Sequence, residues 1–202
     1  MAKGKGKGSA FERKFSVDVS MWYSEGERDD IFYRSATSGG RSTQRAKLGK
    51  TTANSAGDIC YIDGIGMPLL MFCIFELKVG YGNYSAWDIL DQAKQKSNQK
   101  IRSLQKLEKF LGQVTNDAEL AGVKYPMLVS KRDKRLPVIT MPRELFNELT
   151  DFYGSSLQVA QEPVMLIKFK YEQSDWVSMR LAEFFDWADA EYFKYKYKEL
   201  NK

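Results

Sequence analysis

Gly57 to Lys78 reads GDICYIDGIGMPLLMFCIFELK, and this stretch decides the fold. Asp58 to Ile62 is a short apolar run that reads as a strand. Asp63 to Pro68 is turn chemistry, rich in Gly and Pro. Leu69 to Lys78 is a longer apolar run that reads as a second strand, so the two form a hairpin. Side chains alternate along a strand, which puts Glu76 and Lys78 on one face and Phe75 and Leu77 on the other. If the turn centres near residues 65–67, Asp58 lies beside Glu76. Asp63 is the competing acid, but it sits in the turn, roughly 16–20 Å along the strand from Glu76 at about 3.3 Å per residue.

Two carboxylates side by side in a half-buried site repel unless a proton or a cation stands between them. A divalent cation held by Asp58, Glu76 and a backbone carbonyl would keep positions open for water and a phosphate oxygen. Lys78, one pleat away, could orient or deprotonate the attacking water, or stabilise charge building on the phosphate. Glu12 could reach the same cation, directly or through water, if the first helix packs on the hairpin. The plainer reading stays open. An Asp after Gly is an ordinary strand start, and Glu-x-Lys at a strand end is often a surface ion pair worth under about 1 kcal/mol.

Outward from the hairpin, Ser9 followed by Glu12 has capping-box spacing and predicts a helix ending near Gly26. Ile31 to Ala36 reads as a strand, and 87–111 as a helix with a strongly basic face. Pro126 to Val129 and Pro137 to Thr140 read as strands around the basic turn 131–135. Pro142 to Tyr153 is a helix with Pro at its start, Val164 to Tyr171 a strand, and the aromatic tail from Leu181 helical. The order α-β-β-β-α-β-β plus a C-terminal addition predicts an α/β fold with a central mixed sheet flanked by helices.

Charge is unevenly spread. Residues 1–143 carry 24 Lys and Arg against 15 Asp and Glu, whereas residues 144–202 carry 7 against 11. Between Arg34 and Gly57 stand Arg34, Arg41, Arg45, Lys47 and Lys50 with no acid, among many Ser, Thr and Gly. Such a loop suits phosphate contacts through side chains and backbone N–H groups, or it is a solvated loop without function.

Composition closes other routes. The chain contains 0 His, which excludes Ser-His-Asp and Cys-His catalysis and any imidazole-ligated zinc. Cys60 and Cys73 lie in apolar runs and read as core residues. Oxygen ligation favours Mg²⁺, with Mn²⁺ as a substitute. No apolar run approaches the roughly 18 residues needed to span a bilayer, and the start has no signal-peptide pattern, so the expected location is intracellular.

Gly57-Asp58 followed by Glu76-Leu77-Lys78 resembles the PD-(D/E)xK nuclease motif, with Gly in place of Pro. Lys7-Gly8-Ser9-Ala10-Phe11-Glu12-Arg13 is similar to the opening helix of archaeal-type Holliday junction resolvases. Arg34-Ser35-Ala36-Thr37-Ser38-Gly39 and Met127 to Arg132 are similar to later segments of the same family, in the same order. The basic loop before Asp58 and everything after about 142 depart from the short archaeal pattern and look like a viral version.

The resemblance implies a restriction-endonuclease-like core over 9–142; the low-complexity KGKGKG reads as a basic flexible tail at 1–8, and 143–202 as a C-terminal α/β extension packed on the core. The resemblance also implies metal ligation by Asp58 and Glu76, help at the metal from Glu12, and Lys78 as catalytic lysine. Arg13, Arg34 and Ser38 would contact DNA phosphates, with Lys131 and Arg132 as further candidates. The activity implied is cleavage of four-way DNA junctions by a homodimer. A restriction-like or flap nuclease of the same fold and a non-catalytic DNA-binding protein are the alternatives.

Overall fold

A computed structural model describes residues 3–35, 56–82, 84–85, 105–154 and 166–202. The first helix, α1 (Lys3–Tyr23), is followed by β1 (Phe32–Arg34) and β2 (Ile59–Tyr61). A 3₁₀ turn at Gly64–Gly66 leads into α2 (Met67–Phe72) and directly into β3 (Cys73–Val79). Then come α3 (Lys106–Ala121), β4 (Tyr125–Lys131), β5 (Val138–Pro142) and α4 (Arg143–Gly154). The chain closes with β6 (Ile167–Tyr171), β7 (Ser174–Arg180), α5 (Leu181–Trp187) and α6 (Glu191–Leu200).

Five strands form a mixed sheet in the order β3-β4-β5-β7-β6. β3 and β4 run parallel, with Glu76 beside Leu128 and Lys78 beside Ser130; the other pairs are antiparallel. β1 and β2 form a separate antiparallel ribbon. The sheet is the mixed, helix-flanked one that the sequence predicts, and strands β6 and β7 of the C-terminal segment complete it.

Each face of the sheet carries its own core. Phe75, Leu77, Met127, Val129, Ile139 and Met141 face α1, α4, α5 and α6. On α1, Phe11, Phe15, Val19 and Tyr23 recur every four residues and are buried, the stripe that a sheet-packed helix needs. The Phe15 ring lies 5.4 Å from that of Phe75. Ser20 on the same helix accepts the Phe32 N–H at 2.9 Å and so ties β1 to α1. On the opposite face, Ile74, Leu128 and Trp176 pack against Leu107, Phe110, Leu111, Val114 and Ala118 of α3. A capping box between Gln105 and Glu108 starts α3, and Gly122, at φ 68°, ends it.

Several expectations need correction. The hairpin does not form. Pro68 sits in the first turn of α2, and residues 69–72 are helical rather than extended. A short apolar run has no period that separates strand from buried helix, and Pro in a first turn favours the helix. The α1 helix starts at Lys3, so residues 3–8 of the expected flexible tail are helical, and Ser9 lies inside the helix rather than capping it. Of the helix expected over 87–111, residues 87–104 lie outside the described residues; Gln105 is extended and caps a helix that starts at Lys106 and runs to Ala121. β7 was not expected. Its turn from β6 places Glu172 at φ 53° without the Asn-Gly pair that advertises such a turn.

Candidate active site

Gly57 and Asp58 approach the free edge of β3 from outside the sheet. The Asp58 N–H donates to the Phe75 carbonyl at 2.8 Å, and its Oδ2 accepts the Leu77 N–H at 2.8 Å. Among the described residues no strand pairs with this edge of β3, and the contact satisfies two of its backbone groups. Gly57 makes the approach possible. Its φ is +74°, and a Cβ there would lie 2.6 Å from the Phe75 carbonyl oxygen. The sequence expectation that Asp58 meets Glu76 therefore holds, though by an edge contact and not by a hairpin ladder.

Glu76 and Lys78 point to the α3 face, as strand alternation requires. The Lys78 Nζ donates to Glu76 Oε1 and, at 2.9 Å, to Gln113 Oε1. The Gln113 Nε2 donates to the same Glu76 Oε1 at 2.8 Å. The ammonium also stands 5.5 Å over the Phe110 ring. Asp58 and Glu76 are 8% and 7% exposed, so neither is an ordinary surface acid. Burial raises the Asp58 carboxyl above its usual range; the charge of Glu12 adds to this, while the Leu77 N–H and Lys78 oppose it. Burial also raises Glu76, and the charge of Asp58 adds to it, with Lys78 opposing. Asp117, one turn beyond Gln113 on α3, pushes both in the same direction.

Next to this pair, α1 and β1 bring four predicted or adjacent polar residues together. The Ser9 hydroxyl accepts from Arg13 at 2.8 Å and from Arg34 at 2.7 Å. Arg34 Nε stands 3.1 Å from Glu12 Oε2, out of hydrogen-bond line. Glu12 is thus paired with Arg34. Among the described residues, no three acidic or cysteine side chains gather closely enough to hold an ion among themselves.

Lys131 ends β4 and lies 5.7 Å over the Phe11 ring, on the α1 side of the sheet. Arg132 follows it in the β4–β5 turn and faces Tyr84 electrostatically. Ser38, Arg41, Arg45 and Lys47 lie outside the described residues. Sequence reasoning missed Ser9 as a bridge, and it missed Gln113 and Asp117. The spacing of Phe110, Gln113 and Asp117 on one helix face was a usable signal, but the expected helix stopped at 111.

The matching family model is described as "Phage putative PDDEXK endonuclease", and it covers residues 3–195. The chain belongs to this family of endonucleases. No curated protein and no solved structure matches it. The match takes in every element from α1 into α6, so the C-terminal strands of the nuclease are part of the family's own pattern.

Nucleases of this superfamily generally use divalent metal ions, and the donor set here suits one. Asp58 and Glu76 are buried hard oxygen donors whose mutual repulsion a divalent cation would relieve. Two carboxylates leave the remaining coordination to a backbone carbonyl, water and substrate oxygen. Among the described residues, no helix of the nuclease is long and apolar enough to cross a membrane.

Proposed function

We propose that the nuclease is a Mg²⁺-dependent endodeoxyribonuclease, with Mn²⁺ as a substitute, that cleaves four-way DNA junctions as a homodimer. The observation that carries the catalytic half is the convergence of Asp58, Glu76 and Lys78 at the edge of β3. Asp58 and Glu76 hold the cation. When bound, it supplies Lewis acidity at the phosphate and lowers the pKa of water. Lys78 keeps an N–H donor in reach of the attacked phosphate and opposes the charge that builds there in the transition state. The products are 5′-phosphate and 3′-hydroxyl ends.

The preference for junctions rests on the segment around Ser9, Glu12, Arg13 and Arg34. These are the residues that carry the likeness to resolvases, and they meet beside Asp58. Arg13 and Arg34 contact phosphates flanking the scissile bond, and Glu12 holds Arg34 in place and acts at the cation through water. Ser38, Arg41, Arg45, Lys47, Lys131 and Arg132 supply further phosphate contacts. Such contacts read backbone and shape rather than base sequence. Two symmetric cuts in one junction require two copies of the site, hence the homodimer.

The test is cleavage of a labelled four-way junction and a linear duplex of matching sequence, in Mg²⁺ and in EDTA, with wild type and Asp58→Ala. Paired nicks in the junction alone, lost in EDTA and in the variant, are the expected result. Equal cutting of the duplex would remove the junction preference and keep the nuclease. Binding without cutting in either metal would overturn the catalytic reading.

A further inference from the structure

Among the described residues, Gln113 is the uncharged polar side chain that hydrogen-bonds to both Glu76 and Lys78. Its Oε1 accepts from the Lys78 ammonium at 2.9 Å, and its Nε2 donates to Glu76 Oε1 at 2.8 Å. The orientation of the amide follows from its partners. An ammonium only donates and an ionised carboxylate only accepts, so oxygen must face Lys78 and nitrogen must face Glu76. A carboxylate at this position would repel Glu76, and an ammonium would repel Lys78. A primary amide serves both neighbours at once without adding charge.

We propose that Gln113 is a positioning residue, which holds the Glu76 carboxylate and the Lys78 ammonium in the relative placement that DNA cleavage requires. This rests on the nuclease reading above and adds a residue to it. Among the described residues, Glu76 and Gln113 are the hydrogen-bond acceptors of Lys78, which leaves one of an ammonium's three N–H donors for a phosphate oxygen or water. Gln113 thereby sets where that third donor points. On the other side, its Nε2 fixes the rotamer of Glu76, the effect that outer hydrogen bonds have on metal-binding carboxylates.

The platform beneath Gln113 is rigid. Leu111, Val114 and Ala118 anchor α3 in the core, at 0%, 0% and 3% exposure. The Gln105–Glu108 capping box fixes its first turn. Phe110, three residues before Gln113, lies under the Lys78 ammonium at 5.5 Å. Gln113 itself is exposed, so its side chain is not needed to fill the core.

Gln113→Met keeps the length and helix propensity of the side chain and removes both hydrogen bonds. Gln113→Glu keeps the acceptor for Lys78 and loses the donor to Glu76. Three properties of the full chain are read: kcat and KM on the best-cut DNA, Mn²⁺ affinity of the DNA-free protein by calorimetry, and thermal unfolding. The expected result for Gln113→Met is a kcat lower by about 10-fold or more, KM within about twofold, and Mn²⁺ binding weaker by about 10-fold, with unchanged unfolding. Gln113→Glu should also lower kcat, because Glu76 loses its donor and gains a negative neighbour.

Wild-type kcat and wild-type Mn²⁺ affinity in Gln113→Met would overturn the proposal. A rise in KM with unchanged kcat would also overturn it, since that is the mark of a substrate contact. If wild type cuts no DNA in either metal, the nuclease reading fails by itself. The Mn²⁺ affinities would then still report whether Gln113 positions Glu76.

Discussion

Asp58 accepts the backbone N–H of Leu77 at 2.8 Å, and this bond fixes one acidic side chain to the strand that carries the other. Leu77 lies between Glu76 and Lys78, so the three polar groups inherit their spacing from β3 itself. The same bond satisfies an edge N–H that would otherwise invite another strand.

Asp58 is pushed up to about 6 and Glu76 to about 7, from 3.8 and 4.5. The folded metal-free protein should therefore hold protons here that the unfolded chain has released, so the contribution of this pair to stability should fall as pH rises from about 4 to about 7. Asp58→Asn and Glu76→Gln keep an oxygen acceptor for the Leu77 N–H and for Lys78, respectively, while removing the charge. Each should abolish cleavage yet raise the melting temperature of the metal-free protein by about 3 °C or more at pH 8. The gain should fade toward pH 4. A gain of equal size at both pH values would show that charge repulsion is not its origin.

Gly57→Ala tests the approach to the strand edge. An added methyl meets the Phe75 carbonyl oxygen at 2.6 Å, and the φ of +74° is strained for any L side chain. The variant should lose about 2 kcal/mol in urea unfolding. It should also bind Mn²⁺ more weakly, because Asp58 is carried away from Glu76. Unchanged Mn²⁺ affinity would mean that the two carboxylates do not share an ion.

Lys78→Met should lower kcat by about 10²- to 10⁴-fold with Mn²⁺ affinity nearly kept, since Glu76 retains Gln113. Activity close to wild type would restore the reading of Glu76 and Lys78 as a mere ion pair.

Arg34→Ala removes the proposed phosphate contact and leaves Glu12 without its cation. DNA binding should weaken to a similar degree on all sequences, and the slope of log Kd against log salt should drop by about 1. An unchanged slope in filter-binding titrations would assign Arg34 to structure alone.

Far from this site, Glu148 ties α4 to β4 and α6. Burial alone would raise its carboxyl, but Tyr125, Tyr192, Lys124 and Lys196 hold it down to about 2. A depressed carboxyl stabilises the fold above its unfolded pKa and loses that effect as pH falls through its folded one. Wild type should therefore exceed Glu148→Gln in stability at pH 7, and the difference should shrink between about pH 4.5 and about pH 2. A pH-independent difference in urea midpoints would contradict this.

The sequence of β3 was legible because its information is local. Alternation alone assigns Glu76 and Lys78 to one face and Phe75 and Leu77 to the other. The α1 stripe of Phe11, Phe15 and Val19 was legible for the same reason at helical period. Residues 69–72 were not, since four apolar residues fit either period. β7 was hidden by a turn whose backbone needs positive φ at Glu172 but whose residues do not announce it.

Asp58, Glu76 and Lys78 were therefore legible in the sequence as the candidate residues of the site. How they meet was decided only by tertiary structure. Among the described residues, the edge that receives Asp58 is the outer edge of the sheet, because β3 pairs on its other side with β4, a parallel partner some fifty residues further along the chain. Gln113 reaches Lys78 from 35 residues away because α3 packs its apolar stripe across the sheet. Period and propensity act between near neighbours, whereas these contacts depend on which surfaces bury each other, and that is settled by the packing of the whole core.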